Sequence, residues 1–75
     1  MRKYTVLLTP DQDEGGYVVT VPALPGCVTQ GDTREEALER AREAIQCHIE
    51  GLRTDGLPVP QEQEGPALVK IEVPA

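Results

Sequence analysis

Few side chains in this 75-residue sequence can do covalent or metal chemistry. There is one histidine, His48, there are two cysteines, Cys27 and Cys47, and serine is absent. A histidine acting as general base needs a nucleophile within hydrogen-bond reach. The neighbour in sequence, Cys47, does not qualify, because consecutive residues on a helix point about 100° apart. His48 therefore reads as a structural or surface histidine, with pH sensing at an interface as its one functional option. Cys27 and Cys47 can form at most one disulfide, and with His48 they fall short of the ligands a tetrahedral metal cage needs. Free, reduced thiols are expected, with no catalytic residue, metal or cofactor.

Carboxylates are the abundant chemistry. Thirteen Asp and Glu face seven Lys and Arg, a formal net charge of −6 with a sequence pI near 4.5. Such a chain is a poor ligand for a phosphate backbone and a good one for a basic protein. Two acidic patches stand out: Asp11, Asp13 and Glu14 before a Gly-Gly pair, and Glu62 with Glu64 in a Pro-rich stretch. They read either as solvated loop charge or as contacts for a basic partner, where complementary charge speeds encounter and fixes orientation.

These residues are positioned by short elements. Residues 3–9 alternate Tyr4, Val6 and Leu8 with Thr5, Leu7 and Thr9, the two-residue period of a strand. Tyr17–Val21 is β-branched and forms a second strand, joined to the first by the acidic turn. Pro25-Gly26 suits a type II turn leading to a short third strand over 27–30. Thr33-Arg34-Glu35-Glu36 fits a helix-initiating capping box, in which Glu36 reaches back to the Thr33 amide. Leu38, Ala41, Ile45, Ile49 and Leu52 then recur at steps of three and four. Gly51 is expected to weaken the last turns, and Gly56 with Pro58 to end the helix. After the connector 57–66, Val69, Ile71 and Val73 alternate with Lys70 and Glu72, which predicts a final half-buried strand. The order is β-β-β-α-β, an α+β fold with one helix on a mostly antiparallel sheet.

The chain makes a single domain, residues 1–75, with no apolar run long enough for a membrane span or signal core. A soluble cytoplasmic protein is expected. The apolar fraction is 39% and the aromatic fraction 3%, without Phe or Trp. A core built from Val, Leu, Ile and Ala in so small a domain usually needs a supplement, and a second subunit is the one these residues allow. The last strand, with Val69, Ile71 and Val73, is the candidate self-association edge, in a homodimer or higher oligomer.

One set of residues is distinctive in combination: Tyr4, Gly15-Gly16-Tyr17, Pro22-Ala23-Leu24-Pro25-Gly26-Cys27, and Gly31-Asp32-Thr33 running into Glu36-Ala37 and Ala44-Ile45. Over residues 3–73 the chain resembles the HicB family of antitoxins from bacterial type II toxin–antitoxin systems. The resemblance implies a partial ribonuclease-H-like fold and self-association. It also implies binding of a HicA-type toxin, a small basic ribonuclease that cleaves messenger RNA, whose active surface the antitoxin occludes. Many relatives continue into a DNA-binding domain, whereas this sequence ends at Ala75, so direct operator binding is not expected. Two other functions compete with this one. One is a self-associating interaction domain without a toxin. The other is a ribonuclease-H-like nuclease, which would need several carboxylates converging on two cations where the strands offer Glu72 alone.

Overall fold

The computed structural model describes residues 2–62 and 69–75. Three strands, β1 (Leu7–Pro10), β2 (Tyr17–Thr20) and β3 (Val28–Gly31), precede one long helix, α1 (Arg34–Thr54). The sheet is antiparallel in the order β1-β2-β3, with Leu8 opposite Val19 and Val19 opposite Thr29. That register turns one sheet face toward α1, which lies across β3 and β2.

The first two strands are shorter than the alternation predicts, because β2 turns away early. The Val21 amide donates to the Cys27 carbonyl at 3.2 Å, and Pro22 has no amide to give. Residues 4–6 are thereby left without a ladder partner. The turn itself forms as expected. The Leu24 amide donates to the Val21 carbonyl and the Cys27 amide to the Leu24 carbonyl, both at 3.0 Å, with Gly26 at φ +87°.

At the start of α1, Thr33 Oγ1 accepts from the Glu36 amide at 3.1 Å, so Thr33 is the N-cap. The reciprocal half of the capping box is not made. Glu36 Oε1 instead accepts from Arg40 Nε at 3.0 Å, a charged partner one turn along the same face. Gly51 does not interrupt the helix, which continues to Thr54. Gly56, at φ +71°, then allows a Schellman ending: its amide donates to the Arg53 carbonyl at 3.1 Å and the Leu57 amide to the Leu52 carbonyl at 2.8 Å.

Two apolar clusters form the core. Val19, Ala37 and Ala41 join sheet to helix, with Val6, Leu8 and Tyr17 around them. Val21, Leu24 and Cys27 form the second, against Tyr4, Val6, Ala44 and Ile45. Val19 and Leu24 are fully enclosed. The helix sits so close to the end of β3 that a Cβ on Gly31 would lie 2.5 Å from the Ala37 nitrogen and 2.7 Å from its Cα. Glycine at 31 sets that spacing.

The predicted last strand is not formed in residues 69–75, and Ala67 and Leu68 lie outside the described residues. Val69, Ile71 and Val73 are 74%, 80% and 72% exposed. A half-buried strand requires a neighbouring strand and a surface to lie on, and residues 69–75 lie against neither.

Candidate functional site

Two surfaces carry the chemistry of the molecule: an acidic turn at one end of β1 and an arginine-rimmed trough beside the other.

The turn between β1 and β2 is held by its own backbone. The Asp11 amide donates to the Gly16 carbonyl and the Gly15 amide to the Asp11 carbonyl, both at 2.9 Å. Gly15 and Gly16 take φ of +79° and +78°. Asp11 Oδ1 accepts from the Asp13 amide at 3.0 Å and from the Glu14 amide at 3.2 Å, a local side-chain turn that fixes the loop. The three acids therefore divide. Asp11 is half-buried and shapes the loop, whereas Asp13 and Glu14 are exposed and present their carboxylates outward.

Glu62 is elsewhere. Its Oε2 accepts from Thr5 Oγ1 at 2.7 Å, its Oε1 accepts from the Thr5 amide, and Tyr4 Oη donates to the Pro60 carbonyl at 2.5 Å. The Thr5 amide, followed by its hydroxyl, holds the Glu62 carboxyl below its ordinary range. Thr5 and Asp11 are six residues apart along the first strand segment, on the order of 20 Å at strand spacing. The two acidic patches are thus not brought together, and Glu64 lies outside the described residues. A third acidic row escaped the sequence reading: Glu35, Glu39 and Glu43, all exposed on α1. Their four-residue spacing was the available signal.

The trough follows from where the helix lies. Because α1 covers β3 and β2, the core-facing side of the first strand segment is left open. Tyr4 and Val6 on that side, and Leu38, Ile45 and Ile49 on the helix flank, line an apolar depression of about 610 Å³. Arg2, Arg42 and Arg53 stand around it, opposed by Glu50 alone. Three of the seven cations of an acidic chain are gathered at this one place.

The nucleophile candidates are held apart from any such chemistry. Cys27 is buried and Cys47 exposed, both as free thiols. Burial, and secondarily the charge of Cys47, pushes the Cys27 thiol up, which keeps it protonated and unreactive. His48 is half-buried on α1. Among the described residues no group of three or more His, Cys, Asp or Glu is placed to hold a metal ion, and no helix is long and apolar enough to cross a membrane.

Comparison with known proteins bears directly on this architecture. A UPF0150 protein of Thermoplasma acidophilum is 53% identical over 60 residues, covering 80% of this chain and 86% of that protein. A UPF0150 protein of Synechocystis is 51% identical over 59 residues, 79% of this chain and 73% of the relative. Antitoxin HicB 1 of Photorhabdus laumondii is 47% identical over 58 residues, 77% of this chain but only 37% of that antitoxin. Residues 4–71 match the family described as HicB-like antitoxin of bacterial toxin–antitoxin systems. The match runs from the tyrosine that lines the trough to the middle of the exposed apolar segment, and the chain belongs to the HicB-like antitoxin family.

Proposed function

We propose that this protein is a stoichiometric antitoxin. In this reading it binds a small basic HicA-type mRNA-cleaving toxin and neutralises it by covering the active surface. Family membership over residues 4–71 is the observation that carries the reading. The net charge of −6 and the outward Asp13 and Glu14 on a braced turn suit a basic partner. Asp11 serves as the brace of that surface. Glu62 contributes acidic charge at a second, separate place, and Glu64, outside the described residues, belongs to the same proposed set of partner contacts. The protein acts in the cytoplasm, without a cofactor and without direct contact to nucleic acid, and self-associates through Val69, Ile71 and Val73.

The test is co-expression of the tagged chain with the small basic protein encoded beside its gene. The expected result is co-purification and relief of growth inhibition by that neighbour. Asp13→Lys with Glu14→Lys should slow association by an order of magnitude or more at low salt, with the difference shrinking as salt rises. A toxic neighbour that neither co-purifies nor is neutralised overturns the antitoxin reading and leaves the self-associating domain without a toxin. Unchanged binding by the doubly reversed variant removes the acidic turn from the interface.

A further inference from the structure

The sheet has two faces, and α1 covers only the one that bears Leu8, Tyr17 and Val19. On the other face the strand register sets Leu7, Thr20 and Val28 in one row and Thr9, Val18 and Gln30 in the next. We infer that this outer face is the apolar centre of the surface that docks a small basic protein, with the two acidic places as its flanks. The inference rests on the antitoxin reading above and specifies which face of the chain the toxin covers.

The make-up of this face is that of an interface centre. Where one side of an antiparallel sheet meets water, its outward positions are ordinarily polar. In a chain that is 27% charged, none of these six positions carries a charge. Leu7 and Val28 are instead 44% and 58% exposed. They flank Thr20 across two strand spacings, about 10 Å, and Val18 adjoins them in the next row. Protein interfaces share this pattern, a centre depleted of charge inside a polar rim.

Charge selects the kind of partner. Exposed Asp13 and Glu14 stand at the β1–β2 end of the face. At the other end is Thr5, which alternation puts on the same side as Leu7, and its hydroxyl donates to Glu62 at 2.7 Å. The two ends lie on the order of 20 Å apart at strand spacing, within the footprint of a standard interface of about 800 Å² per partner. The protein that fits presents an uncharged apolar patch between cations. Arg2 and Lys3 line the surface beside Glu62, so the turn end is the more acidic of the two and sets the orientation. A second copy fits less well. It brings a net charge of −6 of its own, and laid turn on turn it opposes Asp13 and Glu14 to their own kind.

The experiment compares binding kinetics of the full chain and a Leu7→Thr, Val28→Thr variant, with the small basic protein encoded beside the gene as the probe. Threonine keeps strand propensity and leaves the charge unchanged while removing the apolar surface. The variant should dissociate about tenfold faster or more, with association within about twofold of wild type. Reversal of Asp13 and Glu14 acts on association instead, so the two contributions separate. Leu57→Thr, at a position 52% exposed beyond the end of α1, is the control and should dissociate as wild type does. If wild type binds and the double variant leaves no faster than it or than the control, the inference falls and the antitoxin reading stands. If wild type does not bind, both fall. A double variant of lower mass than wild type by light scattering, without the probe, assigns the face to a second copy and overturns the inference. Should the double variant not fold, methyl resonances of wild type decide: on titration with the probe, those of Leu7, Val18 and Val28 should shift and those of Ile45 and Ile49 in the trough should not. The reverse pattern overturns the inference.

Discussion

Gly31 offers a test of the packing because its replacement should act through one contact of known geometry. A Cβ at this position meets the Ala37 nitrogen at 2.5 Å, the Ala37 Cα at 2.7 Å and the Glu36 carbonyl carbon at 3.0 Å. All three are backbone atoms of the first helical turn, so no rotamer change relieves the overlap. Ordinary contact begins near 3.4 Å, and the helix start must move away from β3 by roughly 1 Å. That shift loosens Ala37 from Val19, both fully enclosed. Overpacking of this kind costs about 1–3 kcal/mol, and the restricted unfolded chain of the alanine variant returns only about 0.4–1 kcal/mol. Gly31→Ala should therefore lose about 1–2 kcal/mol, a fall in Tm of roughly 4–16 °C for a domain of this size. Gly51→Ala is the control of opposite sign. Its Cβ meets nothing within 4 Å and the residue lies inside α1, so the variant should gain up to about 1 kcal/mol of helix propensity. Thermal unfolding followed at the helical circular-dichroism band, at one fixed protein concentration, reads both. A Gly31→Ala protein as stable as wild type, or a Gly51→Ala protein less stable, would refute the packing described for α1.

Three further outcomes are expected. Leu24→Ala, which empties a fully enclosed position under the second cluster, should cost about 2–5 kcal/mol in denaturant unfolding; a loss under ~1 kcal/mol would mean that the turn is not packed as described. The Glu62 carboxyl, lowered from 4.5 by Thr5, binds Thr5 in its charged form. Its contribution is complete above pH 4.5 and is lost as the pH falls below it through the depressed value. The Thr5 amide resonance should follow that transition in an acid titration, and Glu62→Gln should abolish it. With a thiol reagent at neutral pH, exposed Cys47 should react promptly and buried Cys27 slowly; equal rates would contradict the burial of Cys27.

The parts of the fold that were legible in the sequence are those determined by neighbours along the chain. The Pro25-Gly26 turn, the Thr33 cap and the apolar stripe of α1 rest on local geometry and stand where their residues place them. Strand lengths were less legible, because β1 pairs only as far as β2 continues, and β2 is diverted by a bond between Val21 and Cys27. Glu36 could bond the Thr33 amide or Arg40, and local spacing does not rank a charged partner above a neutral one. At the candidate site, the acidic turn was legible as composition, but the inward role of Asp11 was not. The trough was invisible to periodicity, since it arises from the lateral placement of α1 over β3 and β2. Its arginines come from residues 2, 42 and 53, whose adjacency no linear pattern encodes.

The bonds from Tyr4 to Pro60 and from Thr5 to Glu62 join residues 56 and 57 positions apart, whereas the sheet is built from neighbouring hairpins and α1 from its own sequence. Local pairings form on microsecond timescales, and closure of a long loop follows only after its entropy cost has been met. The order of folding is then implied by the topology: hairpins and helix first, with the two chain ends clasped last. In native-state hydrogen exchange, the Thr5 amide should accordingly open well before that of Val19, as the first part of the molecule to come undone.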